Sequence, residues 1–152
     1  RMELSTTADG VLVLNDAYNA NPASMAAALV TLAAMTVSGR RFAVLGQMAE
    51  LGADADTAHR DIGRRAGELG LDGIVVVGGR ATAVAEGARQ AGLPAASVAV
   101  VSDGDEAVAR VRDWLAAGDA VLVKASRSVG LERVAAALHT PASVSRAPGR
   151  AP

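Results

Sequence analysis

The chain has 152 residues, enough for one domain with a single core, and its formal net charge of −1 provides no basic face for nucleic acid. One Phe, one Trp and one Tyr give no base-stacking surface, and the lack of cysteine excludes disulfides and thiolate chemistry. Hydrophobic residues make up 51% of the chain, yet no apolar run approaches the roughly 20 residues that span a bilayer. We therefore expect a cytoplasmic protein with no nucleic-acid partner and no membrane insertion.

Short apolar runs alternate with helical stripes along the chain. Residues 2–6, before Asp9-Gly10, predict an edge strand that pairs antiparallel with the next strand. The run at 11–14 is short, continuous and apolar, as in a buried parallel strand, and further strands are predicted at 41–45, 74–77, 98–101 and 120–123.

Five helices are predicted between and after these strands. In the first, Pro22 follows Asn21 as a helix start, and apolar spacing continues through Met25, Leu29 and Leu32 to Thr36. The second has His59, Ile62, Ala66 and Leu69 on its inward face. The remaining three are predicted at 81–91, 103–117, where Val108, Val111 and Leu115 face the core, and 131–138.

This alternation predicts an α/β fold, Rossmann-like, with a mostly parallel sheet of five to six strands and helices on both faces. The ordered domain is expected at 1–139. Residues 140–152 are rich in Pro, Ala, Ser and Arg without periodicity, which predicts a disordered tail. The start at Arg1 shows neither an initiator methionine nor a signal-peptide pattern, so we expect a piece of a longer polypeptide that carries only part of an active site.

Polar residues gather in three loops that follow predicted strands, at 16–21, 46–52 and 124–128. The carboxyl ends of parallel strands share one edge of the sheet, where ligands of open α/β sheets bind. Together the loops hold an acid, amides, a phenol, a lysine, an arginine and hydroxyls, which suits a polar, anionic ligand.

Each of these residues also has an ordinary structural interpretation. Asn21 is a good helix cap, Tyr18 could pack in a half-buried position, and Lys124, Arg127 and Glu50 could be solvated charges. The two histidines, His59 and His139, lack metal-ligand spacing, so no metal site is predicted. Neither a Gly-x-Gly-x-x-Gly turn nor a Gly-Lys-Ser/Thr phosphate loop is present.

Three motifs together resemble the C-terminal domain of the Mur ligases, which form amide bonds in bacterial peptidoglycan synthesis. They are Asn15-Asp16-Ala17-Tyr18-Asn19-Ala20-Asn21-Pro22-Ala23-Ser24-Met25, Val44-Leu45-Gly46-Gln47-Met48-Ala49-Glu50-Leu51-Gly52 and Leu122-Val123-Lys124-Ala125-Ser126-Arg127-Ser128. The resemblance runs from Arg1 to about Leu138. Its first turn favours the member that joins D-Ala-D-Ala to UDP-N-acetylmuramoyl-tripeptide.

The resemblance implies a reaction that uses ATP and Mg²⁺ to convert the tripeptide carboxylate to an acyl phosphate, which the D-Ala-D-Ala amine attacks. It implies a UDP-sugar domain and a central ATPase domain in the same polypeptide, and most Mg²⁺ ligands in the latter. The C-terminal domain would close over the nucleotide and position the amine, and would be inactive alone.

The resemblance also assigns roles to single residues. Arg1 and Lys124 are implied as catalytic, with Arg1 at the γ-phosphate. Asp16 would accept from the ribose hydroxyls, and Tyr18, Asn19 and Asn21 would line the nucleotide. Met48, Ser126 and Arg127 are implied as substrate-binding, and Lys124, Ser126 and Arg127 would face the dipeptide carboxylate and the nascent intermediate.

Two positions depart from the pattern, Gln47 in place of an acid and Ala125 in place of glycine. Three alternatives remain open: another Mur-type ligase or a folylpolyglutamate synthase domain, a free-standing small-molecule binding module, and a receiver-like regulatory module. The last would need a phosphoacceptor Asp where Val77 leads into Gly78.

Overall fold

The computed structural model describes residues 2–141, so the predictions for Arg1 and for residues 142–152 lie outside the described part. Within it the chain forms one sheet of six strands and five α-helices. The strands are β1 (Glu3–Thr6), β2 (Leu12–Asn15), β3 (Arg41–Leu45), β4 (Gly73–Val77), β5 (Val98–Val101) and β6 (Ala120–Lys124). The helices are α1 (Pro22–Ala34), α2 (Ala55–Glu68), α3 (Thr82–Gln90), α4 (Gly104–Trp114) and α5 (Glu132–His139).

The strand order is β1-β2-β6-β3-β4-β5. β1 pairs antiparallel with β2 at the edge, and all other neighbours are parallel. The predicted α/β fold is therefore confirmed, including its antiparallel edge strand. β6 comes last in the chain but lies between β2 and β3, and this placement brings the three polar loops together.

The strands separate two hydrophobic cores because successive side chains point to opposite faces. In β6, Leu122 belongs to the core under α1, α2 and α3, whereas Val121 and Val123 belong to the core under α4 and α5. Both faces of the sheet are thus covered by helices, which explains why the central strands read as continuous apolar runs.

Two helices end earlier than predicted. α1 ends at Ala34, and Thr36 is exposed beyond it, because the Arg41 guanidinium donates to the carbonyls of Leu32 and Met35 and closes the helix end. α4 ends at Trp114 instead of residue 117.

After α4 the chain turns away because Leu115 is extended and the N–H of Ala116 donates to the Asp119 carboxylate at 2.8 Å. Asp119 is 2% exposed, and its other carboxylate oxygen accepts from the N–H of Arg40 at 2.7 Å. The turn is therefore fixed by a buried acid that sequence periodicity does not reveal.

α2 and α3 approach each other backbone to backbone. A Cβ on Gly63 would lie 1.8 Å from the Val84 carbonyl oxygen, and a Cβ on Gly87 would lie 1.9 Å from the Arg60 carbonyl oxygen. Only glycine fits at either position. The contact fixes the loop before α2 relative to the loop before α3, and both loops lie at the carboxyl edge of the sheet.

Candidate functional site

The three polar loops leave adjacent strands, β2, β6 and β3, as the sequence predicts. The N–H of Asp16 donates to the Val123 carbonyl at 2.9 Å, and the N–H of Gly46 donates to the Lys124 carbonyl at 3.0 Å. These backbone bonds extend the parallel ladders by one residue into the loops. The loops therefore start from a rigid frame.

Lys124, the last residue of β6, is buried, with 2% of its side chain exposed. Its Nζ donates to Asp16 Oδ2 at 2.8 Å and to the Asn19 carbonyl at 2.8 Å. The alternative interpretation of Lys124 as a solvated charge is wrong, because the ammonium group is engaged inside the protein. It ties the turn after β2 to the end of β6. The implied catalytic role of Lys124 stays a prediction.

The turn after β2 presents its polar groups between two buried alanines. Ala17 and Ala20 are almost fully buried, whereas Tyr18 is 46% exposed and Asn19 is exposed. The Asn19 Oδ1 accepts from the N–H of Ala20 at 2.9 Å. Asp16 is 15% exposed, so the groups that the turn exposes most to solvent are the Tyr18 ring and the Asn19 amide.

Asn21 caps α1. Its Oδ1 accepts from the N–H of Ser24 at 2.8 Å, and the Ser24 Oγ accepts from the N–H of Asn21 at 3.0 Å, which forms a capping box. The structural interpretation of Asn21 is therefore observed, and its amide oxygen is engaged in the cap.

Ser126 joins all three loops. Its Oγ accepts from the N–H of Ala49 at 2.8 Å and donates to the Ala20 carbonyl at 3.4 Å, while its own N–H donates to the Gln47 carbonyl at 2.9 Å. It is 6% exposed. In this structure its hydroxyl is used to hold the loops together, and its implied substrate-binding role stays a prediction.

Met48, implied as substrate-binding, is 2% exposed and packs in the core under α1 to α3, and its implied role stays a prediction. Its N–H donates to Nε2 of His59 at 2.8 Å. His59, expected to be an ordinary helix-face histidine, is buried and holds this loop. The signal for its burial was present, since it shares an inward stripe with Ile62 and Ala66, but its partner could not be deduced.

Arg127 is exposed at the start of a 3-10 turn after β6, and is thus free to meet a ligand. Nearby, the loop after β3 and Arg80 of the loop after β4 line a cavity of about 360 Å³, together with Asp56 and His59. Both signs of charge are therefore present beside the three loops.

The described part of the chain contains no group of three or more His, Asp or Glu side chains that could hold a metal ion. No buried side-chain nitrogen or oxygen atom in residues 2–141 lacks a hydrogen-bond partner. Over the same residues, no helix has the length and apolar character to cross a membrane.

A family model, the Mur ligase glutamate ligase domain, matches residues 1–127. The chain belongs to the Mur ligase family. The resemblance drawn from the three motifs is therefore confirmed, and the loops just described form the carboxyl edge of a Mur ligase domain.

Similar Mur ligases are longer than this chain. The UDP-N-acetylmuramoyl-tripeptide--D-alanyl-D-alanine ligase of Mycobacterium tuberculosis is 47% identical over 155 residues, which cover 91% of this chain and 30% of that protein. The enzyme of the same name from Bacillus subtilis is 33% identical over 134 residues, which cover 88% of this chain and 29% of that protein. The chain spans about 30% of the length of the curated relatives it matches.

Solved structures agree on the fold. MurF from Acinetobacter baumannii is 32% identical with a TM-score of 0.78, covering 91% of this chain and 30% of that chain. MurF ligase from Thermotoga maritima in complex with ADP is 30% identical with a TM-score of 0.71, and the match covers 87% of this chain and 28% of that chain.

Proposed function

We propose that this chain is the C-terminal domain of an ATP-dependent ligase that joins D-Ala-D-Ala to UDP-N-acetylmuramoyl-tripeptide in peptidoglycan synthesis. The observation that carries the proposal is the convergence of three polar loops on adjacent strands of a Mur ligase domain, tied together by Lys124 and Ser126. The names of the similar ligases support this choice of acceptor. The reaction is proposed to take place in the cytoplasm, with UDP-sugar and central ATPase domains in the same polypeptide.

In the proposed reaction, the γ-phosphoryl group of ATP is transferred to the terminal carboxylate of the tripeptide. The amine of D-Ala-D-Ala then attacks the acyl phosphate carbon, and phosphate leaves as the amide forms. Bringing the amine into near-attack geometry is a positioning task, which a closing domain can perform. Arg1, outside the described residues, stays a proposed γ-phosphate contact.

The turn after β2 is the proposed nucleotide side. The Asp16 carboxylate would accept hydrogen bonds from the ribose hydroxyls, and the exposed Tyr18 ring and Asn19 amide would line the nucleotide. Asn21 would act mainly by starting α1 at a fixed residue. Lys124 would act through Asp16, because its buried ammonium group donates to that carboxylate and orients it.

The acceptor side is proposed at the loops after β6 and β3. Arg127 is exposed and cationic, so it suits the dipeptide carboxylate. Ser126 would act by holding the backbone of the loop after β3, and Met48 by anchoring that loop in the core. Residues 2–141 contain no group of three or more His, Asp or Glu side chains that could hold Mg²⁺. We therefore propose that most of the ion's ligands belong to the central domain.

The proposal is tested with the complete ligase that carries this chain. Purified enzyme is incubated with ATP, Mg²⁺ and UDP-N-acetylmuramoyl-tripeptide, and separately with D-Ala-D-Ala, D-Ala, D-Glu and L-Glu as acceptors. Mass spectrometry of the UDP-linked product should show a pentapeptide with D-Ala-D-Ala alone. Product with a single amino acid instead would assign the chain to another Mur-type ligase.

A further inference from the structure

The loop between β3 and α2, residues 46–52, is held by two side chains from outside it. Nε2 of His59 accepts from the N–H of Met48 at 2.8 Å, and Oγ of Ser126 accepts from the N–H of Ala49 at 2.8 Å. His59 is 2% exposed and Ser126 is 6% exposed. Two consecutive backbone donors are thus fixed by buried acceptors.

The partners of His59 define its tautomer. A backbone N–H can only donate, so Nε2, which faces Met48, carries no proton. A carbonyl can only accept, so Nδ1, which lies 2.6 Å from the Ala55 oxygen, carries the ring proton. Both ring nitrogens are used within the protein, so His59 serves to hold the loop and not to bind a ligand.

The held loop contains an unusual backbone conformation. Glu50 has a φ of 65°, a left-handed value that residues other than glycine rarely adopt. Such outliers persist where the surroundings enforce them, and they cluster at ligand sites. Glu50 directly follows the two fixed N–H groups, and with Gln47 and Arg80 it lines the cavity of about 360 Å³.

We infer that His59 is a positioning residue for the acceptor side of the site. By holding the N–H of Met48, it fixes the loop that presents Gln47 and Glu50 to the cavity. The inference rests on the proposed function. The loop lies across β6 from the turn at Asp16, to which the nucleotide is assigned, so loss of His59 should affect the dipeptide more than ATP.

Two substitutions of His59 distinguish the role of the Nε2 acceptor from that of the Nδ1–H donor. In His59→Gln, the side-chain oxygen can reach the position of Nε2 and accept from Met48. In His59→Asn, the shorter amide can keep a donor to Ala55 but cannot reach Met48. His139→Asn is the matched control, because His139 is exposed at the end of α5, away from the loops.

Steady-state kinetics of the complete ligase give the first readout. His59→Asn should lower kcat/KM for D-Ala-D-Ala about 10- to 100-fold, the effect of a small displacement in a site that depends on geometry. The KM for ATP should change less than threefold, and His59→Gln should recover most of the loss. An unchanged kcat/KM in His59→Asn, or equal losses in both His59 variants, would overturn the inference.

The second readout does not depend on activity. Ring ¹⁵N shifts of the 152-residue chain should show the Nδ1-protonated tautomer for His59, and the Met48 amide should exchange slowly with solvent. An Nε2-protonated ring, or a fast Met48 amide, would overturn the inference even where a variant fails to fold. If wild-type ligase makes no product with D-Ala-D-Ala but these signals are present, the proposed function fails and the loop restraint stands.

Discussion

Lys124 Nζ lies 2.8 Å from Asp16 Oδ2, and this ion pair joins the ends of two neighbouring parallel strands across 108 positions of sequence. The two partners differ in environment, since 2% of the Lys124 side chain is exposed and 15% of the Asp16 side chain is exposed. The difference means that removing one partner is not equivalent to removing the other.

Asp16→Asn should destabilise the chain more than Lys124→Met. Without the carboxylate, a buried ammonium group keeps only carbonyl partners, and breaking a buried pair in this way costs about 3 kcal/mol. Without the lysine, the Asp16 carboxylate can turn toward water, and we expect a loss of about 1 to 2 kcal/mol. Urea unfolding of both variants measures the difference.

The exposed acid Glu68 on α2 provides the control, because Glu68→Gln removes a charge without breaking an ion pair. Its stability should change by less than about 0.5 kcal/mol. Equal losses in Asp16→Asn and Lys124→Met would show that the asymmetry of burial has no energetic consequence.

Asn21→Ala should lower the free energy of unfolding by about 1 kcal/mol, because the N–H of Ser24 loses its acceptor. Asn21→Ser, which can still cap, should restore most of this stability. The same pair tests whether Asn21 also binds nucleotide. If the KM for ATP rises strongly in Asn21→Ser while stability is restored, the side chain does more than cap α1.

Gly63→Ala should destabilise the domain by more than about 3 kcal/mol, although alanine normally favours a helix by about 1 kcal/mol over glycine. The added Cβ would lie 1.8 Å from the Val84 carbonyl oxygen, so α2 and α3 must separate. Thermal melting measures the loss. Gly79→Ala is the matched control, since its Cβ would meet nothing within 4 Å, and a comparable loss there would refute the packing explanation.

The fold could be predicted because its signals are local. The strands predicted at 41–45 and 98–101 match β3 and β5 residue for residue, and the strand-to-helix turn at Asn21-Pro22 fixes the start of α1. The convergence of the three loops also followed, because parallel strands share their carboxyl edge.

The contacts within the site could not be predicted, because they join residues far apart in sequence. Nothing local distinguishes a lysine that pairs with Asp16 from one that faces a substrate, and the burial of Met48 depends on the core beneath it. His59 lay on the predicted inward face, but its bond to Met48 follows from the path of a loop. The sequence thus indicated which loops form the site. It did not indicate which of their side chains bind other loops instead of facing a ligand.

As proposed, this chain supplies one part of a ligase site that it shares with the other domains of the polypeptide. The most direct test measures product formation from ATP, UDP-N-acetylmuramoyl-tripeptide and D-Ala-D-Ala. Four samples are compared: the complete ligase, a truncated ligase that ends just before Arg1 and so lacks this chain, the isolated chain, and a mixture of these two pieces. We predict pentapeptide product from the complete ligase and none from the truncated ligase or the isolated chain, with any activity of the mixture lost in Asp16→Asn. Turnover by the truncated ligase at the rate of the complete enzyme would contradict the account.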